Sequence, residues 1–144
     1  MDKQWQENIF STIEGFANID RQNTSWRGLN NQDISSYIED FNLLFFSFDF
    51  EDFIDTWKAE ELDNTLLTEL IEFKDVLICY DNNLPAEKQF EDIKILEDPK
   101  WLYVVDKAKK IVNIWRSYLR SNDNSNLQVL SKKENLKKGN KIDE

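Results

Sequence analysis

Residues 98–119 read DPKWLYVVDKAKKIVNIWRSYL, and this stretch decides the class of fold. Asp98 followed by Pro99 is typical of a helix start, because aspartate caps the first turn and proline suits the first helical position. Apolar residues then advance by three or four positions for about twenty residues, as on one face of an α-helix. They are Trp101, Leu102, Val105, Ala108, Ile111, Val112, Trp115, Tyr118 and Leu119. The stretch predicts a long amphipathic helix that ends near residue 120.

Similar apolar spacings upstream predict further helices. A break at residues 47–49 is expected, because Ser47 or Asp49 suits a helix N-cap and acidic residues follow in the next turn. Residues 18–32 are polar and are expected to form a loop pinned by Trp26. The expected helical segments are residues 2–19, 33–48, 50–57, 65–80 and 85–97.

The chain of 144 residues has the size of one domain, and its apolar share of 40% suffices for a core. With only 3 glycines and 2 prolines, it has few turn signals and suits helices better than strands. Apolar residues become sparse after residue 120. We therefore expect an all-α fold, a single compact array of five to six helices over residues 1–120, followed by a flexible, disordered polar tail over residues 121–144.

The composition argues against an enzyme or a metalloprotein. There is no histidine, the commonest general base and metal ligand near neutral pH. Cys79, the single cysteine, lies in the apolar run DVLICY and is expected to be a buried, reduced thiol. The segment that contains the acids at positions 49, 51 and 52 lacks the glycine that a calcium-binding loop needs for its sharp turn. No cofactor is expected, and the absence of a leader or membrane-spanning pattern predicts a cytoplasmic protein that does not bind membranes.

Charge is unevenly distributed along the chain, whose net charge is −10. Residues 33–98 hold nineteen acidic residues against four lysines, a net of −15, whereas residues 99–120 hold one against six basic residues, a net of +5. So much like charge destabilises a small domain unless a basic partner offsets it. We expect an acidic helical surface for such a partner, built from Glu39, Asp40, Asp49, Glu51, Asp52, Asp55, Glu60, Glu61 and Asp63.

Two aromatic residues, Trp57 and Tyr80, are candidate anchors for that partner, because large aromatics with a polar tip are favoured at the centres of interfaces. Core packing is the alternative, and it is favoured for Trp57. For the acidic residues, the alternative is an ordinary solvated surface on helices that pack beside the basic last helix.

A short, acidic, helical chain without catalytic groups resembles the immunity proteins of bacterial toxin systems, including nuclease colicins and contact-dependent growth inhibition. The resemblance rests on size, charge and the acidic, aromatic helices of residues 33–80; the adjacent tyrosine pair of helical colicin immunity proteins is absent. It implies tight one-to-one binding to a toxin domain with a basic surface, such as a nuclease, in the producing cell.

Other function classes use the same residues differently. An acidic mimic of nucleic acid would inhibit many DNA-binding enzymes, and an adaptor subunit would form a stable oligomer. An enzyme would need a carboxylate site without a recognisable motif. Direct binding of nucleic acid is not expected, because phosphates would meet a surface of like charge.

Overall fold

The computed structural model describes the backbone of residues 1–28 and 34–141 and the side chains of residues 1–28, 34–88 and 91–122. A π-helical turn spans Leu43–Ser47, and a 3-10 helix spans Ala86–Phe90. The described residues contain no strand, so the predicted all-α class is confirmed, although five to six helices was too few. The seven α-helices of the described residues are α1 (Lys3–Ala17), α2 (Ile19–Ser25), α3 (Tyr37–Asn42), α4 (Phe50–Ala59), α5 (Asn64–Asn83), α6 (Asp92–Leu96) and α7 (Pro99–Lys141).

The chain divides into two units, Met1–Asn113 and Ile114–Glu144. The first unit contains α1 to α6 and the first part of α7, with the core described below. The second unit is helical as far as Lys141, beyond the predicted helix end near residue 120. Flexibility of residues 121–144 stays a prediction.

Trp101, near the start of α7, lies at the centre of the core of the first unit. Its side chain is fully buried. Its ring centroid lies 6.0 Å from that of Phe16, 5.5 Å from those of Trp26 and Tyr37, and 5.3 Å from that of Tyr80. Helices α1, α3 and α5 and the end of α2 therefore each bring one aromatic ring to α7, and the apolar stripe that predicted α7 also organises the domain.

Gln22 explains why residues 19–25 form a helix, α2, where the sequence predicted a loop. Its side chain is completely buried. The Nε2 group donates to the backbone oxygens of Gly15, at 3.0 Å, and Phe16, at 2.9 Å, while Oε1 accepts from Trp101 Nε1 at 2.9 Å. Asn18 caps the helix by accepting from the backbone NH of Arg21 at 2.9 Å. This polar segment can be helical because the buried amide of Gln22 forms hydrogen bonds with α1 and α7.

Several helix boundaries differ from the predictions. The predicted start at residue 33 lies outside the described residues, and α3 begins at Tyr37 after a cap by Ser36. Asp63 caps α5 by accepting from the backbone NH of Leu66 at 2.8 Å, one residue earlier than expected. The single helix predicted over residues 85–97 is instead the 3-10 helix followed by α6. Cys79 on α5 is exposed, contrary to prediction, since its neighbours Leu77 and Tyr80 take the buried positions.

Candidate protein-interaction surface

Helix α4 has an exposed acidic face and a buried apolar face. Its buried side is formed by Phe50, Phe53, Ile54 and Trp57, at helical spacing. The break predicted before this helix is confirmed. The opposite side carries four carboxylates that are all exposed, which we call the acidic surface: Asp49, Glu51, Asp52 and Asp55. Two of these lie in the first turn, where the helix dipole favours negative charge.

The acidic surface lacks the neutralising partners that α5 has. On α5, Glu69 lies 3.2 Å from the Nζ of Lys110, and Glu72 lies 3.7 Å from the Nζ of Lys107, both on α7. None of the four carboxylates of the acidic surface forms an ion pair with a residue whose side chain the structure describes. The basic last helix thus offsets the charge of α5 and leaves that of α4 available.

Strained backbone positions bracket α4. Among the described residues, Asp49 and Glu61 are the two non-glycine residues with positive φ, at 49° and 53°. Glu61 follows the helix in a left-handed turn closed by hydrogen bonds from Glu61 N to Lys58 O and from Leu62 N to Trp57 O. Glycine is the usual residue at such a position, because the left-handed conformation costs a residue with a side chain about 1 kcal/mol or more in stability. Both positions keep a carboxylate where glycine would be less strained.

The π-helical turn before α4 exposes a large aromatic residue. The backbone NH of Phe48 donates to the oxygen of Leu43, five residues earlier, at 2.9 Å. Such turns accommodate one extra residue relative to an α-helix and are frequent at functional sites. Here Leu44 is fully buried, whereas the side chain of Phe46 is 71% exposed and that of Leu43 is 39% exposed. Phe46 therefore lies in water immediately before the acidic surface.

Asp40 does not belong to the exposed acids, contrary to prediction. Its carboxylate is buried and accepts hydrogen bonds from Arg21 Nη1 at 2.9 Å, Trp26 Nε1 at 2.9 Å and Ser35 Oγ at 2.6 Å. Three donors compensate the loss of water around this charge. Asp40 is a structural centre that joins α2, α3 and the segment before α3.

Trp57 and Tyr80 are also part of the core, so neither is an exposed anchor. Trp57 is fully buried and donates from Nε1 to the backbone oxygen of Asp63 at 2.9 Å. Tyr80 is 8% exposed, and its hydroxyl donates to Asp98 Oδ2 at 3.0 Å. Burial makes the largest contribution to raising the pKa of the Tyr80 phenol, and the hydrogen bond to Asp98 raises it further. Phe46, which precedes α4, is 71% exposed instead.

The remaining predicted residues differ in exposure and in hydrogen-bond partners. Glu39 and Glu61 are exposed. Glu60 is exposed and accepts from the Met1 amino group at 2.6 Å. Asp63 is half-buried, and capping of α5 occupies one of its oxygens.

Neither a metal centre nor a membrane span is found in the described part of the chain. Its cysteine, aspartate and glutamate side chains do not form a group of three or more that could hold a metal ion. Within the residues searched, every helix is too short or too polar to cross a bilayer.

Comparison with known proteins gives no relative. No protein-family model, no curated protein and no solved structure matches the chain.

Proposed function

We propose that this protein binds a basic protein partner through the acidic surface and acts as an immunity protein that neutralises a bacterial toxin of the nuclease type. The observation that carries the proposal is the display of four exposed carboxylates without ion pairs to described residues, in the segment that follows the exposed Phe46 in the sequence. Charged groups around an apolar centre are the usual composition of a specific interface.

The mechanism requires no catalysis by this chain. A toxin that cleaves nucleic acid needs lysine and arginine side chains to meet phosphates. An array of carboxylates can occupy the same groove, attract the toxin over long range and exclude the substrate. Phe50, Phe53 and Trp57 fix α4 to the core, so the carboxylates are held in place before binding. Such preorganisation reduces the entropy lost on association.

Phe46 is the proposed anchor, in place of the buried aromatics. An exposed phenylalanine contributes to binding by leaving water and filling a pocket on the partner. Truncation of such an anchor weakens binding by about thirtyfold or more. Because Phe46 is 71% exposed, Phe46→Ala is expected to leave the fold intact, which separates a binding defect from unfolding.

The test is calorimetric titration against the polypeptide encoded immediately upstream, at low and high salt. We expect one-to-one nanomolar binding that weakens with salt. Reversal of all four acids of the acidic surface to lysine should weaken it by at least about a hundredfold. The matched control reverses four exposed acids elsewhere, with the same change in net charge: Glu7, Glu87, Glu97 and Asp106.

The outcomes distinguish the alternatives. Equal loss in both reversal variants would mean that only total charge matters, and the acidic surface would not be the site. If the folded monomer does not bind this polypeptide, the proposed immunity function is refuted. Inhibition of several unrelated DNA-binding enzymes would identify a general mimic of nucleic acid, and a stable oligomer would identify an adaptor subunit.

A further inference from the structure

A groove lies in the first unit, away from the acidic surface, between the second half of α5, the 3-10 helix and the start of α7. Its volume is about 770 Å³, within the usual range of small-molecule sites. Val76, Leu84 and Val104 contribute apolar surface. Tyr103, which is 55% exposed, provides an aromatic ring at its edge. The groove has the size and the apolar lining to hold a compact organic molecule.

The groove carries two lysines and two carboxylates, and the carboxylates have polar partners among the described residues. Its two carboxylates have partners: Asp98 accepts from the Tyr80 hydroxyl at 3.0 Å and from the backbone NH of Lys100 at 2.9 Å, and Asp75 lies 3.9 Å from the Nζ of Lys74. Its two lysines, Lys88 and Lys100, are exposed and form no ion pair with a residue whose side chain is described. These two ammonium groups are the contacts that the groove offers to an anion.

We propose that the groove binds a small organic anion, a molecule with an apolar, preferably aromatic, body and one carboxylate or sulfonate group. The anionic group pairs with Lys88 and Lys100, while the body covers Val76 and Val104 and packs against the ring of Tyr103. A few polar contacts that orient a mainly apolar ligand are the common design of such sites. This site is separate from the acidic surface and does not rest on the proposed immunity function.

The probe is anilinonaphthalene sulfonate, whose fluorescence rises when its rings leave water. We expect saturable one-to-one binding to the folded protein, and weaker binding of phenylnaphthylamine, the analogue without the sulfonate. The thiol of Cys79 reports the location, because this single cysteine is exposed and lines the groove. Its reaction with the neutral reagent dithiodipyridine should slow about tenfold when the probe is present at ten times its Kd.

The variant Lys88→Gln/Lys100→Gln removes the proposed anion contacts at exposed positions and is expected to bind the sulfonate about tenfold more weakly. The matched control, Lys94→Gln/Lys109→Gln, makes the same change in net charge at exposed lysines outside the groove and should bind as the parent does. Failure of the probe to bind, equal binding by both double variants, or unchanged reactivity of Cys79 in the complex would each overturn the proposal.

Discussion

Replacement of Gln22 by methionine tests the link between α2 and the core most directly. Methionine has nearly the same length but accepts and donates no comparable hydrogen bond. The change leaves Trp101 Nε1 and the oxygen of Phe16 without their partner, whereas the oxygen of Gly15 keeps a bond from Asn18 N at 3.3 Å. Each buried group without a partner costs about 1–3 kcal/mol. Methionine recovers part of this through its apolar surface, so we expect a loss of about 3 kcal/mol in the free energy of unfolding.

Such a loss is large against the total stability of about 5–15 kcal/mol of a typical domain, and it lowers Tm by about 6–12 °C. Urea unfolding followed by circular dichroism and tryptophan fluorescence measures it, with an unchanged m-value as the check that the transition stays two-state. The control is Gln4→Met on the exposed side of α1, which should shift stability by less than about 0.5 kcal/mol.

A double-mutant cycle of Gln22→Met with Trp101→Phe identifies the hydrogen bond itself, because the second change removes the donor that the first leaves unpaired. We expect a favourable coupling of about 1 kcal/mol or more. A loss below about 1 kcal/mol for Gln22→Met, or no coupling in the cycle, would refute the view that this amide holds α2 in place.

Three further predictions follow from described contacts. Asp40→Ala should lower the free energy of unfolding by about 3 kcal/mol in urea denaturation, because the donors of Arg21, Trp26 and Ser35 lose a buried charge; a loss within 0.5 kcal/mol, about that of a surface substitution, would contradict this. Burial raises the pKa of Asp92, the Tyr37 backbone NH lowers it, and the charges of Asp40 and Glu39 raise it. A raised pKa gives stability that is lost as pH rises through the folded value, so Asp92→Asn should be more stable than the parent at pH 7. The difference should shrink as pH falls through the folded pKa and should have disappeared once pH is below the unfolded value of about 3.9; a constant difference across a pH series of urea titrations would exclude this origin. Glu61→Gly should raise stability by about 1 kcal/mol by relieving the left-handed strain, and an unchanged Tm would show that the glutamate is not strained there.

Apolar periodicity sufficed to predict α1, α4, α5 and the first part of α7, because each of these helices buries one continuous stripe against the core. It failed for α2, whose helix depends on Gln22 meeting Trp101, a residue 79 positions later. No local pattern reveals such a long-range hydrogen bond. The prediction merged the 3-10 helix and α6 into one helix for a different reason, because apolar residues at helical spacing continue across both elements.

For the candidate surface, the sequence predicted exposed acids at positions 49, 51, 52 and 55, because helix α4 has a clear buried side. It could not identify Asp40 as buried, since a carboxylate leaves water only when donors from elsewhere surround it, here Arg21 and Trp26. It also could not identify Phe46 as exposed. With phenylalanine at 41, 45, 46, 48 and 50, several registers bury an apolar stripe equally well, and the choice depends on the π-helical turn.

That turn has a consequence for how the chain can change over generations. Leu44 faces the interior, whereas Leu43 and Phe46 face water, so natural variation at the two outward positions need not disturb the packing beneath them. Descendants of this chain can keep one interior and differ at positions 43 and 46, and under the proposed function each would then select a different partner. The packing of the interior and the chemistry of the surface can therefore change independently within five consecutive residues.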